Sequence, residues 1–256
     1  MGHPTPPAWY VISLRPQGAH DALRRAARRR GAGLLALSPW RIRRCDDGAA
    51  RDALRAALAC PIVVFTSPAA VAAAHALQAL RDRDGQVWLA VGSGTAAALR
   101  RAGIGHVSFP ARMDSEGLLS LPELASIRGT PLGFVTAPDG RNLLVPTLHS
   151  RGARVHLAEV YRREPVALDA RAIEAFAALD APACLLLSSG AALEQVLAQL
   201  PGSLAARFKA LPVAAASQRL VDAAREAGFA HVVLAEGPRP AQLMKAACTI
   251  GCPGIR

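Results

Sequence analysis

Serine and threonine recur in this chain at one kind of place. Thr66-Ser67 precedes Pro68, Ser93-Gly94-Thr95 follows the apolar run 87–91, Ser188-Ser189 precedes Gly190, and Ser217 precedes Gln218. Each marks a point where an apolar run of strand length gives way to an alanine-rich helical pattern. A strand that turns through small residues into a helix leaves backbone N–H groups pointing outward. The helix dipole behind those groups favours an anion. The same residue types also cap helices by accepting one of those N–H groups. The positions fit either use.

Other chemistries find no support in the spacing. The seven histidines, at 3, 20, 75, 106, 149, 156 and 231, are not placed as metal ligands. No Ser-His-Asp arrangement, Walker motif or G-x-G-x-x-G is present; the last fails because position 97 is alanine. The five cysteines, at 45, 60, 184, 248 and 252, are odd in number. Cys60 and Cys184 sit in apolar runs, where cysteine behaves as a small hydrophobe. Cys248 and Cys252 lack a histidine or further cysteine nearby, so no metal site is expected.

Composition narrows the partners. Lys and Arg number 30 against 19 Asp and Glu, a formal charge of +11, with arginine supplying all but Lys209 and Lys245. Such a balance suits acidic partners: nucleic acid, phosphates or a polycarboxylate. Nucleic acid is disfavoured, since aromatic residues are only 4% and no zinc-finger, RNP or helix-turn-helix pattern appears. No apolar run is long enough to span a bilayer, and the first residues, MGHPTPPAW, lack an export signal. A cytoplasmic, reduced protein without membrane contact is expected, and a monomer.

The elements that carry the hydroxyl positions are duplicated. IVVFTSPAAV from Ile62 answers to CLLLSSGAAL from Cys184, AGIGHV from Ala102 to AGFAHV from Ala227, and RGAGLLALSPWRIRR from Arg30 to RGARVHLAEVYRRE from Arg151. Trp40 thereby lies opposite Tyr161. Each copy reads strand, helix, strand, basic connector, then strand–helix three times. Alternation of this kind means parallel sheets covered on both faces. The expected fold is α/β: two similar domains, each a five-stranded parallel sheet flanked by helices, joined by a two-stranded antiparallel tether. One domain is discontinuous, residues 1–38 with 166–256; the other runs from 45 to 157; 39–44 and 158–165 form the connecting ladder. Ligands of open parallel sheets sit beyond the strand C-terminal ends. If the two sheets face each other, their helix N-termini line one cleft.

In this order the pieces resemble the uroporphyrinogen-III synthase family over nearly the whole chain. They are SLRP at Ser13, VVFTSPAAV at Val63, AVGSGTAAALRRAGI at Ala90, DSEGLLSLP at Asp114, DGRNLL at Asp139, RGARVHLAEVYRREP at Arg151, LLLSSGAAL at Leu185 and SQRLVDAAREAGF at Ser217. The array carries the resemblance more than any one piece. Two positions depart from it: the family often has Arg-Gly at Thr136-Ala137 and Thr at Leu220, so no ligand role is carried to them.

The resemblance implies a cofactor-free cyclisation of hydroxymethylbilane, a linear tetrapyrrole with eight carboxylates. Its terminal hydroxyl leaves as water, a spiro intermediate forms, and ring D is inverted before closure to uroporphyrinogen III. The protein's task is then to hold one conformation and stabilise a transient cation. In that reading Thr66, Ser67, Ser93, Gly94, Thr95, Ser188, Ser189 and Ser217 receive carboxylates, and Arg15 and Arg141 pair with them. Tyr161, in the Val-Tyr-Arg motif, is the candidate proton donor to the leaving hydroxyl, without being essential; packing at a hinge, like Trp40, is its other use. Hydroxymethylbilane synthase is the upstream enzyme. The competing reading is a two-lobed small-ligand binding or sensing protein without catalysis, against which stand the missing export signal and output domain.

Overall fold

The structure is a computed structural model and describes residues 7–138 and 144–250. The chain opens with β1 (Trp9–Ser13), α1 (Asp21–Arg28) and β2 (Ala32–Ala36), then enters β3 (Trp40–Arg44). Next come α2 (Gly48–Leu58), β4 (Ile62–Phe65), α3 (Pro68–Leu77), β5 (Val87–Ala90), α4 (Ser93–Arg101), α5 (Ser115–Leu119), a 3-10 turn (Pro122–Leu124), β6 (Pro131–Thr136), α6 (Leu144–Ser150) and β7 (Arg154–Glu159). β8 (Tyr161–Pro165) leads to α7 (Ala170–Ala177), β9 (Ala183–Leu187), α8 (Gly190–Gln199), α9 (Gly202–Lys209), β10 (Val213–Ala215), α10 (Gln218–Glu226), β11 (Val232–Leu234) and α11 (Pro240–Thr249).

Two compact units result: unit 1 is Met1–Arg41 with Glu164–Arg256, and unit 2 is Ile42–Arg163. The chain passes between them at β3 and β8, which form a two-stranded sheet. Backbone bonds at its two ends, Cys45 N to Val160 O and Val166 N to Pro39 O, each 3.0 Å, run in the antiparallel sense.

Unit 1 holds a five-stranded parallel sheet in the order β11-β10-β9-β1-β2. Its inner strands β10, β9 and β1 are short and almost wholly buried, as both faces are covered, while the edge strands β2 and β11 are partly exposed. Ile12, Leu185, Leu187 and Val213 face one way, onto Phe176, Leu193, Val196, Phe208 and Val221. Trp9, Val11, Cys184 and Leu186 face the other, onto Leu23, Ala27, Leu243 and Met244. The period-two alternation explains how consecutive apolar residues serve two cores.

Unit 2 is built alike, with one difference. Its sheet has four strands, in the order β5-β4-β6-β7, and not the five expected from the sequence. The missing fifth, at 107–110, survives as a single parallel bridge between Leu89 and Ser108. The repeat supplies the reason. In unit 1 the ladder continues because Ala235 N donates to Ala215 O at 2.8 Å. The residue opposite Ala235 in the repeat is Pro110, which has no N–H to give. α9 is a second departure from the sequence expectation; it follows Pro201 and buries Phe208 in the unit 1 core.

Three glycines show how the layers close. Gly103 and Gly228, equivalent in the repeat, end α4 and α10 with φ of +98° and +97°, a left-handed turn that needs no side chain. Gly133, in the middle of β6, lies so close to α2 that a Cβ would collide with the Ala57 carbonyl. Only glycine lets that helix rest on the sheet.

Candidate functional site

In an open parallel sheet the crevice lies where neighbouring strands send their connections to opposite sides. In unit 2 that point is between β4 and β6, because β4 leads through α3 to β5 on one side and β6 through α6 to β7 on the other. Thr66-Ser67 leaves β4 there, and Thr136 ends β6. Thr66 Oγ1 donates to Thr136 Oγ1 at 2.8 Å, and Thr66 N to Val135 O at 3.2 Å. Thr136, set aside in the sequence for departing from the family pattern, therefore shares the crevice with Thr66. The signal for it was strand adjacency, which a linear reading does not contain.

Ser67 does two things. Its Oγ accepts the Ala70 N–H at 3.0 Å, capping α3, and lies 3.0 Å from the Tyr161 hydroxyl. Tyr161 itself is 2% exposed and packs within the unit 2 core. The phenol thus reaches the crevice only through Ser67. Ser93 is the first residue of α4 rather than its cap; the cap position is Gly92. Ser93 Oγ contacts Met113 Sδ at 3.3 Å. Gly94 is exposed and its Cβ position lies 3.8 Å from Pro68 Cγ, which places the starts of α3 and α4 side by side. Thr95 is 4% exposed and belongs to the interior of unit 2.

In unit 1 the corresponding crevice is between β9 and β1. Leu186 pairs with Ser13 there as Val64 pairs with Phe134 in unit 2. The register makes Ser188 the counterpart of Thr66 and Arg15 the counterpart of Thr136. So one crevice carries a threonine pair and the other a serine with an arginine. Arg15 is half-buried; its Nη2 reaches Pro238 O at 3.5 Å, and no carboxylate pairs with it among the described residues. Burial lowers its pKa from the ordinary arginine value, the mark of a guanidinium short of solvent. Such a group gains from a carboxylate brought to it.

The two uses open to the hydroxyls in the sequence separate residue by residue. Ser189 caps α8, accepting from Ala192 N at 3.3 Å, as Ser67 caps α3. Ser188 and Ser217 are exposed and their hydroxyls make no bond among the described residues, although Ser217 occupies the cap position of α10. Gly190 has its Cβ position 3.8 Å from Leu220, so α8 and α10 start side by side, matching α3 and α4. Arg141, with the turn from Asp139, lies outside the described residues, as does Cys252. Leu220 is buried in the unit 1 core, in keeping with no ligand role.

One cluster has no signature in the linear sequence. His20, ahead of α1, is 6% exposed; its Nδ1 is 3.0 Å from Ser13 Oγ and its Nε2 2.8 Å from Ser38 Oγ. A separate cavity of about 290 Å³ in unit 2 lies beside the start of α2, lined by Cys45, Asp47, Glu159 and Arg162 among others. Two carboxylates there make it a poor receptor for a polyanion. Among the described residues no group of three or more His, Cys, Asp or Glu gathers as metal ligands, and no helix is long and apolar enough to cross a membrane.

Known proteins give these two crevices a context. Residues 11–245 match the family model described as Uroporphyrinogen-III synthase HemD. The chain is 34% identical over 166 residues to the uroporphyrinogen-III synthase of Salmonella typhimurium, covering 60% of this chain and 64% of that protein. It is 29% identical over 161 residues to that of Escherichia coli, covering 62% and 65%. The matched stretch is thus just under two thirds of the length of either relative. A crystal structure of a mutant uroporphyrinogen III synthase from the extremely thermophilic bacterium Thermus thermophilus superposes with a TM-score of 0.58 at 22% identity, covering 94% of this chain and 98% of that one. At that identity the likeness speaks for the α/β fold.

Proposed function

The chain belongs to the uroporphyrinogen-III synthase family, and from that premise we propose that it cyclises hydroxymethylbilane to uroporphyrinogen III with inversion of ring D. The C–O bond of the terminal hydroxymethyl group breaks as a proton arrives, and water leaves. The pyrrole nitrogen's electron pair stabilises the cation that remains. A carbon of ring D attacks it to form the spiro intermediate, whose rearrangement and proton loss close the macrocycle. Bond making and breaking stay within the substrate, so no cofactor takes part. The protein supplies position, anion binding and one proton donor.

The observation that carries this reading is the pair of equivalent crevices. Each unit puts hydroxyls and helix starts at or beside its own switch point: Thr66 and Ser67 at that of unit 2, with Ser93 and Gly94 at the neighbouring start of α4, and Arg15, Ser188 and Ser189 at that of unit 1, with Ser217 at the neighbouring start of α10. A flexible octa-anion is better held by many moderate donors than by one strong one. Thr95 supports the α4 start from inside, and Arg141, outside the described residues, is the second cation proposed to pair with a carboxylate. Ser67 is the donor to the leaving hydroxyl. Its oxygen accepts the Ala70 N–H, and in the Ser67–Tyr161 contact, where either hydroxyl can donate, the Tyr161 O–H donating leaves the serine proton for the leaving hydroxyl, so that Tyr161 acts through it.

Among the described residues only Leu157 and Leu234 are large apolar side chains in the open, which supports a monomer. Free thiols at Cys45, Cys60, Cys184 and Cys248 suit a reducing cytoplasm. Residues 39–44 and 158–165 serve as the connectors between domains 1–38 with 166–256 and 45–157, and hydroxymethylbilane synthase supplies the substrate. Expression in a bacterium deleted for its own uroporphyrinogen-III synthase tests the reading: restored heme-dependent growth is expected, and failure of soluble, folded protein to restore it would contradict the assignment.

A further inference from the structure

His20 stands at the cap position of α1, yet its side chain makes no cap bond to that helix. The ring turns back to the sheet instead. Nδ1 meets Ser13, the last residue of β1, and Nε2 meets Ser38, just past β2. Ser13 is fully buried, and its Oγ also receives the Arg15 backbone N–H at 3.5 Å. The loop 14–19 between these anchors turns at Gly18, φ +76°, and is pinned by Gln17 N to Trp40 O at 2.8 Å. A histidine that forgoes capping its own helix to tie itself to the β1 end closes the loop 14–19, which runs from Ser13 to the histidine, and its bond to Ser38 anchors that closure to the end of β2.

We infer that His20 is a positioning residue for Arg15, holding the loop 14–19 so that the guanidinium stands ready at the β1 edge for a carboxylate of the substrate. The inference rests on the reading that Arg15 binds that polycarboxylate. A neutral imidazole, one nitrogen donating and the other accepting, matches two hydroxyl partners. The surroundings keep it neutral: burial first, then Arg24 and Arg15, lower its pKa, with Asp21 opposing. The ring therefore adds direction to the loop without adding a second positive charge beside Arg15. Preformed geometry spares the binding step the cost of ordering the loop.

The test is a mutant cycle on steady-state kinetics with hydroxymethylbilane, read beside hydrogen exchange of the intact protein. Arg15→Ala should raise KM about tenfold with kcat within about twofold. His20→Ala should raise KM by a similar factor, and the double variant should be no worse than Arg15→Ala alone, because the two share one contact. His20→Asn, whose amide sits where Nδ1 did, should recover most of the loss. Ser38→Ala, a milder change at a half-buried partner, should move KM the same way by less. Amides of 14–19 should exchange faster in His20→Ala while β9 and β10 keep their protection. Multiplying KM losses in the double variant, or unchanged exchange in 14–19, would overturn the inference. Wild-type protein that makes no uroporphyrinogen III while the exchange effect stands would overturn the reaction and keep the latch.

Discussion

At Ser67 one oxygen is asked to cap a helix and to face a phenol, and the consequences of removing each partner differ. Tyr161→Phe keeps the packing and the cap; turnover should fall by about ten- to a hundredfold without vanishing. Ser67→Ala loses the cap as well, about 1 kcal/mol of stability, and should lose turnover at least as far. If Tyr161 acts through Ser67, as proposed, the double variant should turn over no more slowly than Ser67→Ala. Independent, multiplying losses would place the tyrosine in direct contact with substrate. His20 yields a pH prediction. Its folded pKa lies below the ordinary 6.5, lowered by burial first, with Arg24 and Arg15 adding and Asp21 opposing. Below pH about 6.5 the unfolded chain takes up a proton that the folded one resists. Stability from this site is therefore complete above 6.5 and is lost as pH falls towards the folded value. Denaturation midpoints followed from pH 7.5 to 5 should decline less steeply in His20→Gln than in wild type. The sequence displayed the hydroxyl positions plainly, since helix starts are local. It could not say which were caps. It hid His20, whose partners stand 7 and 18 residues away and meet only because β1 and β2 pair.

Among the elements, the internal repeat made most strands and helices legible, since the two copies vouch for each other. What failed was what one copy does not share with the other. Pro110 removes the N–H that Ala235 supplies in unit 1, so the strand pattern at 107–110 delivers one bridge and no strand. α9 has no partner in unit 2 to announce it. In unit 2, α2 rests on β6 over Gly133, where a Cβ would collide with the Ala57 carbonyl. Gly133→Ala forces the helix off the sheet and should cost about 3 kcal/mol, beyond an ordinary small-to-large change of similar volume. Thermal unfolding should show the drop, while Gly202→Ala, with open space at its Cβ, should leave the midpoint almost unmoved. Equal effects of the two would mean that α2 gives way without strain.

For the molecule as a whole, chain length, charge and duplication spoke for two α/β units and an acidic partner, and the family match over 11–245 makes hydroxymethylbilane the proposed partner. Charge alone would equally have fitted a nucleic acid. The crevices argue otherwise, because their donors are small hydroxyls, helix starts and Arg15, and Tyr161, the aromatic ring that meets Ser67, is buried and offers no face for a base to stack on. The central claim is that the protein dictates which isomer forms. Hydroxymethylbilane closes unaided to the isomer without ring inversion. The decisive measurement generates hydroxymethylbilane in situ, adds the purified protein, oxidises the product and separates the uroporphyrin isomers. A protein-dependent shift from isomer I to isomer III is the predicted result; isomer I alone, from protein shown to be folded, would contradict it.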